Sequence, residues 1–243
     1  MPQPERGFTI IELMIATAIF LVITAAMFGL LQLSQQKYTG ETQLSGAFQE
    51  TRLAIDQIVR DFNDSGFPSQ SVFSTLPTDT TKYALSPVAW SPNYLAGTPC
   101  SVGTGSGVAC TTPGDFDLIL ETDLGNGNGV SWIRYQLITT TLFRSVVPKT
   151  AGTDPAAPPS DPTLVVPFLT NVMNSPAQPI FKFTCDTPAG PQPCSAAGSN
   201  GVPNRIRDVD IMLIVKTRQP DPQTGQLKLV ELAGRGHRVN PSN

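Results

Sequence analysis

GFTIIELMIATAIFLVITAAMFGLLQL, residues 7–33, is the stretch on which the architecture of this chain turns. From Leu13 to Leu31 it holds 19 residues without a charge. As a helix rising about 1.5 Å per residue, that run spans roughly 28 Å, close to the hydrocarbon thickness of a bilayer. A secretory signal would show a shorter apolar stretch of roughly 7–15 residues, behind a basic segment and before a small-residue cleavage site. Here Arg6 is offset by Glu5, and Ala25 and Ala26 make a poor cleavage site. A plain membrane anchor leaves Glu12 unexplained, because a carboxylate inside an apolar run costs roughly 2.5–3.5 kcal/mol on insertion and calls for a partner.

Beyond residue 33 the pattern turns amphipathic. Leu44, Ala47, Phe48, Leu53, Ile55, Ile58, Val59 and Phe62 recur at steps of three and four, with Arg52, Asp56, Arg60 and Asp61 on the other side and Asp56–Arg60 as an i,i+4 pair. Gly66 and Pro68 mark the end. The spacing predicts one helix over residues 8–64, membrane-spanning over about 8–33, with Gly29, Gly40 and Gly46 as weak points that each cost about 1 kcal/mol relative to Ala.

The remainder, residues 65–243, reads as a β-rich head, so the expected fold class is α+β: a long N-terminal helix followed by antiparallel sheets with long loops. Residues 65–114 are expected to be a long connection with at most one short strand. Strands are expected over 116–121, 130–138 and 141–147, a meander in which Arg144 faces outward, and over 164–169, 179–185, 206–217 and 227–232. Residues 148–162 carry five prolines and read as an extended surface insertion. The 122–129 turn reads as a hairpin turn; as a calcium loop it offers Asp123, Asn126 and Asn128, but its register fails by one residue.

Four cysteines allow three pairings, and the expectation is two local disulfides, Cys100–Cys110 and Cys185–Cys194, in an oxidising compartment. Intervals of nine and eight residues do not suit a zinc site, and no cofactor is expected. His237, the one histidine, lies in a basic C-terminal stretch that reads as an exposed tail. No nucleophile elbow or phosphate-cradling loop is present, so an enzyme is not expected. A net charge of −3 gives no basic field for nucleic acid.

Gly7-Phe8-Thr9-Ile10-Ile11-Glu12-Leu13 resembles the processing site of type IV prepilins and of type II secretion pseudopilins. The resemblance implies that residues 1–7 are a leader cut off by a membrane-embedded prepilin peptidase, between Gly7 and Phe8 on the cytoplasmic side, with N-methylation of Phe8. It also implies that the Glu12 carboxylate pairs with the charged Phe8 amine of a neighbouring subunit, each relieving the other's desolvation. Many major pilins carry a proline near Gly29, and this chain does not. Residues 116–147 resemble the heads of PilW-type minor pilins and of the J-type pseudopilin. The function implied is a minor pilin at the initiation or tip of a type IV pilus. The alternatives are a J-type pseudopilin of type II secretion and a tip adhesin or DNA-binding module. The implied partners are other pilins, the peptidase, an inner-membrane assembly platform and the inner membrane itself, with the head periplasmic before assembly into a surface pilus or periplasmic pseudopilus.

Overall fold

The computed structural model describes residues 7–84, 87–89, 101–102, 109–110, 116–125, 127, 129–149, 165–194 and 206–239, with backbone alone at 89, 101–102 and 109–110. The leader residues before Gly7, Cys100, the calcium candidates Asn126 and Asn128, and most of the proline-rich insertion lie outside these residues.

Helix α1 runs Ile10–Asn63, 54 residues without interruption. It begins two residues after Phe8 because Thr9 takes extended backbone (ψ 149°) and acts as its N-cap. At the other end the Asp64 N–H returns to Arg60 O (3.0 Å), and Gly66, with φ 81°, turns the chain away.

The head is built from two sheets. The first contains β1 (Val88–Ala89), β4 (Asp117–Asp123), β5 (Val130–Ile138), β6 (Thr141–Pro148) and β7 (Val165–Leu169), in that spatial order and antiparallel throughout. The second has β8 (Phe181–Thr187), β9 (Gly190–Pro193), β10 (Ile206–Lys216) and β11 (Leu229–His237), in the order β11-β10-β8-β9, also antiparallel. A small parallel pair joins β2 (Ser101–Val102) to β3 (Ala109–Cys110). Residues 65–114 therefore hold three short strands where at most one was expected.

The outermost strands of both sheets are blunted against further pairing. β1 is two residues long, β7 carries Pro167, β9 carries Pro191 and Pro193, and β11 lies against the helix. Between the sheets and α1 sits one core, with Ile55, Ile58 and Phe62 from the helix, Leu118, Leu120, Ile133 and Leu142 from the first sheet, and Phe181, Val209, Ile211 and Leu213 from the second. Among the described residues both sheets and the helix thus share one hydrophobic core. Lys149 and Glu121 are buried together beneath it, Nζ to Oε2 3.1 Å, with Trp132 Nε1 donating to Glu121 Oε1 (3.1 Å) and Lys149 Nζ donating to Tyr83 O (3.2 Å). Those hydrogen bonds offset part of the cost of taking the pair out of water.

Several sequence expectations are corrected by packing. Asp61 is not on the solvent side of the helix but buried against the first sheet, and Arg144 does not face outward but reaches inward to it. Phe48 and Leu53, placed on the apolar side, are exposed. Asp56 pairs with Arg52 (4.0 Å), one turn earlier, rather than with Arg60. The segment around His237 is no tail: β11 extends through it, five residues past the expected end. Strand β9, with its two prolines, was not expected at all.

Candidate functional site

The candidate processing end is built from four residues. Gly7 and Phe8 precede the helix, both exposed, so the peptide bond between them is in non-helical chain open to an approaching enzyme. A Cβ added to Gly7 would meet nothing within 4 Å. The chain's own packing therefore does not demand glycine there. Thr9 and Glu12 form a reciprocal capping box: Thr9 N and Thr9 Oγ1 both donate to Glu12 Oε2 (2.9 Å each), while Glu12 N donates to Thr9 Oγ1 (3.4 Å). All the hydrogen bonds that the Glu12 carboxylate accepts, among the described residues, fall on Oε2. Thr9 was not singled out from the sequence, although the Thr-x-x-Glu spacing that announces a capping box was there to read.

From Ile10 to Thr39 α1 touches almost nothing else among the described residues. Phe20, Val22 and Leu30 are 67%, 69% and 70% exposed, whereas Ile58 and Phe62, farther along the same helix, are 0% exposed. This is a helix long and apolar enough to cross a membrane, with a mean hydropathy of 2.4 over its most apolar window. Its hydroxyls are already satisfied: Thr17 Oγ1 donates to Leu13 O (3.0 Å) and Thr24 Oγ1 to Phe20 O (2.6 Å). Such back-bonding leaves few polar groups for hydrocarbon to penalise.

The second half of α1 is held by the β10–β11 hairpin, which runs along it like a splint. Near the helix end the His237 backbone N–H donates to Asn63 Oδ1 (2.9 Å). Farther back, Gly236 lies against Phe62 and Gly234 against Ile55 and Val59; a Cβ on Gly236 would stand 2.8 Å from Phe62 Cδ1, and one on Gly234 would collide with Ile55 Cγ2. These two glycines, i and i+2 on one face of a strand, let the helix descend onto the sheet. Past the strands, Arg218 binds Glu50 through both carboxylate oxygens (2.9 and 3.1 Å), Gln43 Nε2 donates to Gln219 Oε1 (3.0 Å), and Asp221 lies beside Gly40. Gly40, a weak point in the bare sequence, is thus buried under the hairpin.

A buried polar latch ties the same half to the first sheet. Asp61 Oδ2 accepts from the Tyr135 hydroxyl (2.5 Å) and from Arg144 Nε and Nη2 (3.2 and 2.9 Å), and Asp61 Oδ1 accepts from Gln57 Nε2 (2.7 Å). Burial, reinforced by the neighbouring Asp61 charge, pushes the Tyr135 hydroxyl far above its usual range, so it remains a donor. No sequence period marks Asp61 for burial, because its partners are 74 and 83 residues away.

Of the remaining sequence candidates, Cys185 and Cys194 are joined by a disulfide that closes the β8–β9 hairpin. Cys110 has only its backbone described, in β3. Asp123 Oδ1 accepts from Gly125 N (2.8 Å), so the carboxylate offered to calcium is engaged in an Asx turn, with Gly125, Gly127 and Gly129 all at positive φ. Among the described residues no three acidic, cysteine or histidine side chains gather at a metal-binding distance.

Compared with known families, residues 3–28 match the model of the Prokaryotic N-terminal methylation motif. No curated protein matches the chain significantly. The motif covers the processing end and the first part of the bare helix, and it implies processing by a prepilin peptidase and assembly with other pilins. A methylation motif at the head of a 54-residue helix, bare and apolar in its first half and sheathed by a β-rich domain in its second, supports a type IV pilin-like protein, of a pilus or a pseudopilus.

Proposed function

We propose that this chain is a minor pilin: a structural subunit that enters a type IV pilus at its initiation or tip and performs no reaction of its own. The observation that carries the reading is the divided helix, apolar and unpartnered over residues 10–39 and fixed to the head from Gly40 onward. A bare apolar face of that size has to be covered by lipid or by other helices. The sequence of events follows from the residues. The peptidase cuts the exposed Gly7–Phe8 bond and methylates the new amine, which then stands one residue before the Thr9 cap. In lipid, Glu12 is partly satisfied by Thr9 through Oε2. On assembly its charge meets the Phe8 amine of a neighbouring subunit, and the bare helices bury one another. The cytoplasmic leader and periplasmic head required by this scheme fit the N-terminal motif.

The 179 residues that follow Asp64 support a minor rather than a major subunit, since a head of that size crowds a repeating shaft. The experiment is mass spectrometry of the mature N-terminus from membranes and from sheared filaments. A chain beginning at N-methylated Phe8 in both is the expected result; a chain beginning near Ala26 would overturn the reading. Glu12→Val is expected to be cut normally but to incorporate poorly, and wild-type incorporation would show that the carboxylate is dispensable. Loss of twitching on deletion is expected; loss of protein secretion instead would assign the chain to a pseudopilus.

A further inference from the structure

We propose that the turn of the β10–β11 hairpin, residues 217–228, is a foot that rests on the phospholipid headgroups of the bilayer holding α1. The inference depends on the membrane-anchored reading above and goes beyond it, because it assigns a lipid-facing surface to the head. Its basis is where the hairpin stops. Contacts between hairpin and helix descend in order, from His237 at Asn63, through Gly236 at Phe62 and Gly234 at Ile55, to Arg218 at Glu50, Gln219 at Gln43 and Asp221 at Gly40. The hairpin therefore follows the helix for 23 residues, roughly 35 Å, toward the membrane and ends at Gly40.

The distance from there to lipid follows from the helix rise. The apolar stretch Leu13–Leu33 is about 31 Å long and fills the hydrocarbon layer. Gly40 lies seven residues farther on, about 10 Å, where the headgroup layer is itself roughly 5–7 Å deep. The exposed Lys37 and Tyr38 stand between, residue types that settle at the interface. An ordinary helix tilt of about 20° toward the hairpin side lowers the turn further.

The chemistry of the turn suits anionic phosphates. Residues 216–228 carry Lys216, Arg218 and Lys228 against Asp221, and Glu50 of α1 is paired with Arg218, so the turn with its helix partner keeps an excess of one positive charge in a chain whose net charge is −3. The Asp221 carboxylate is neutralised within the turn by Lys228 Nζ (2.5 Å) and accepts from Gln223 N (2.8 Å). The lysine beside it holds the Asp221 carboxyl below the usual carboxylate range. About 3–5 Å then separates the turn from the headgroup layer, well within the Debye length of about 10 Å in 0.1 M salt, so the positive excess is attracted to it.

The test places the photo-crosslinking residue p-benzoylphenylalanine in the full-length chain, at the exposed Gln223 or Thr224, and for comparison at the exposed Val239 near the far end of the helix. Each variant is reconstituted into vesicles of phosphatidylethanolamine and phosphatidylglycerol, floated on a gradient, irradiated and weighed. Expected are phospholipid adducts at 223 and 224 and background yield at 239, with the first two falling when phosphatidylglycerol is omitted. Background yield at all three positions in chains that float with the vesicles would overturn the foot while leaving the anchor intact. Crosslinks from 223 to a second copy of the chain, in place of lipid, would overturn lipid as its occupant. Chains that do not float would overturn the anchor reading and the foot with it.

Discussion

Residues 10–39 and 40–63 belong to one unbroken helix, yet they are stabilised by different things. In the first part none of the described residues covers the apolar side chains, so helicity rests on backbone hydrogen bonds, the Thr9–Glu12 cap and whatever surrounds it. In the second, a hairpin and a polar latch fix both its face and its register against the head. An apolar residue therefore does two jobs depending on its half: in one it serves the environment, in the other the fold. The same substitution made on both sides of Gly40 should separate these jobs.

The largest contrast is between two phenylalanines. Phe62→Ala empties a site with no solvent exposure and is expected to lower stability by about 3–5 kcal/mol, read from denaturant unfolding of the full chain in detergent. Phe20→Ala, in the bare half, should leave that midpoint unchanged and reduce filament incorporation instead. Equal shifts from the two would show that the bare half packs on the head after all.

Next is the latch. Asp61→Ala leaves the Tyr135 hydroxyl and the Arg144 guanidinium without their shared acceptor, at an expected cost of about 3 kcal/mol in the same assay, because buried partners are stranded. Asp61→Asn, which keeps an acceptor oxygen, should recover part of the loss. If the two variants were equally destabilised, charge rather than hydrogen bonding would be the source.

A change of sign is expected for glycines. Gly234→Ala pushes a methyl into Ile55 and should destabilise by about 1–3 kcal/mol. Gly29→Ala meets nothing within 4 Å and, inside a helix, should raise helicity by about 1 kcal/mol at that position, seen as slower amide exchange around it. Loss of stability from both would mean that the first half has close partners within the chain.

These glycines also show what could be read without coordinates. The bare half was legible because lipid imposes a composition and length visible in one window. The alternation in β10 and the apolar period of Ile55, Ile58 and Phe62 were legible for the same local reason. Asp61, Tyr135 and Arg144 were not, since each looks solvent-seeking until residues 74 and 83 positions apart are brought together. Gly234 and Gly236 resembled the flexible end of a chain. Their role is to leave room for a helix that the local sequence does not mention.

The smallest effect is expected at the upper end of the splint, where Asp208 stands beneath β11. Burial raises the pKa of its carboxyl, but His237 Nδ1 (2.5 Å from Oδ1) and Arg235 Nη2 (2.6 Å from Oδ2) outweigh burial and hold it below the usual range. Arg207 adds a second guanidinium at 3.8 Å. A carboxylate whose pKa is depressed on folding contributes stability that is complete above its unfolded value, about 3.9, and is lost as pH falls through the folded value. The wild-type chain should accordingly lose stability on acidification below about pH 4 more steeply than Asp208→Asn, which has no proton to take up there. The difference should be read near β11, as faster amide exchange at His237 and Arg238, whose N–H groups are bonded to Asn63 Oδ1 and Arg207 O. Exchange in residues 10–39 should not respond, because among the described residues the head's contacts with the helix stop at Gly40. A matching response there would mean that the splint transmits strain down the whole helix, and the division at Gly40 would have to be withdrawn.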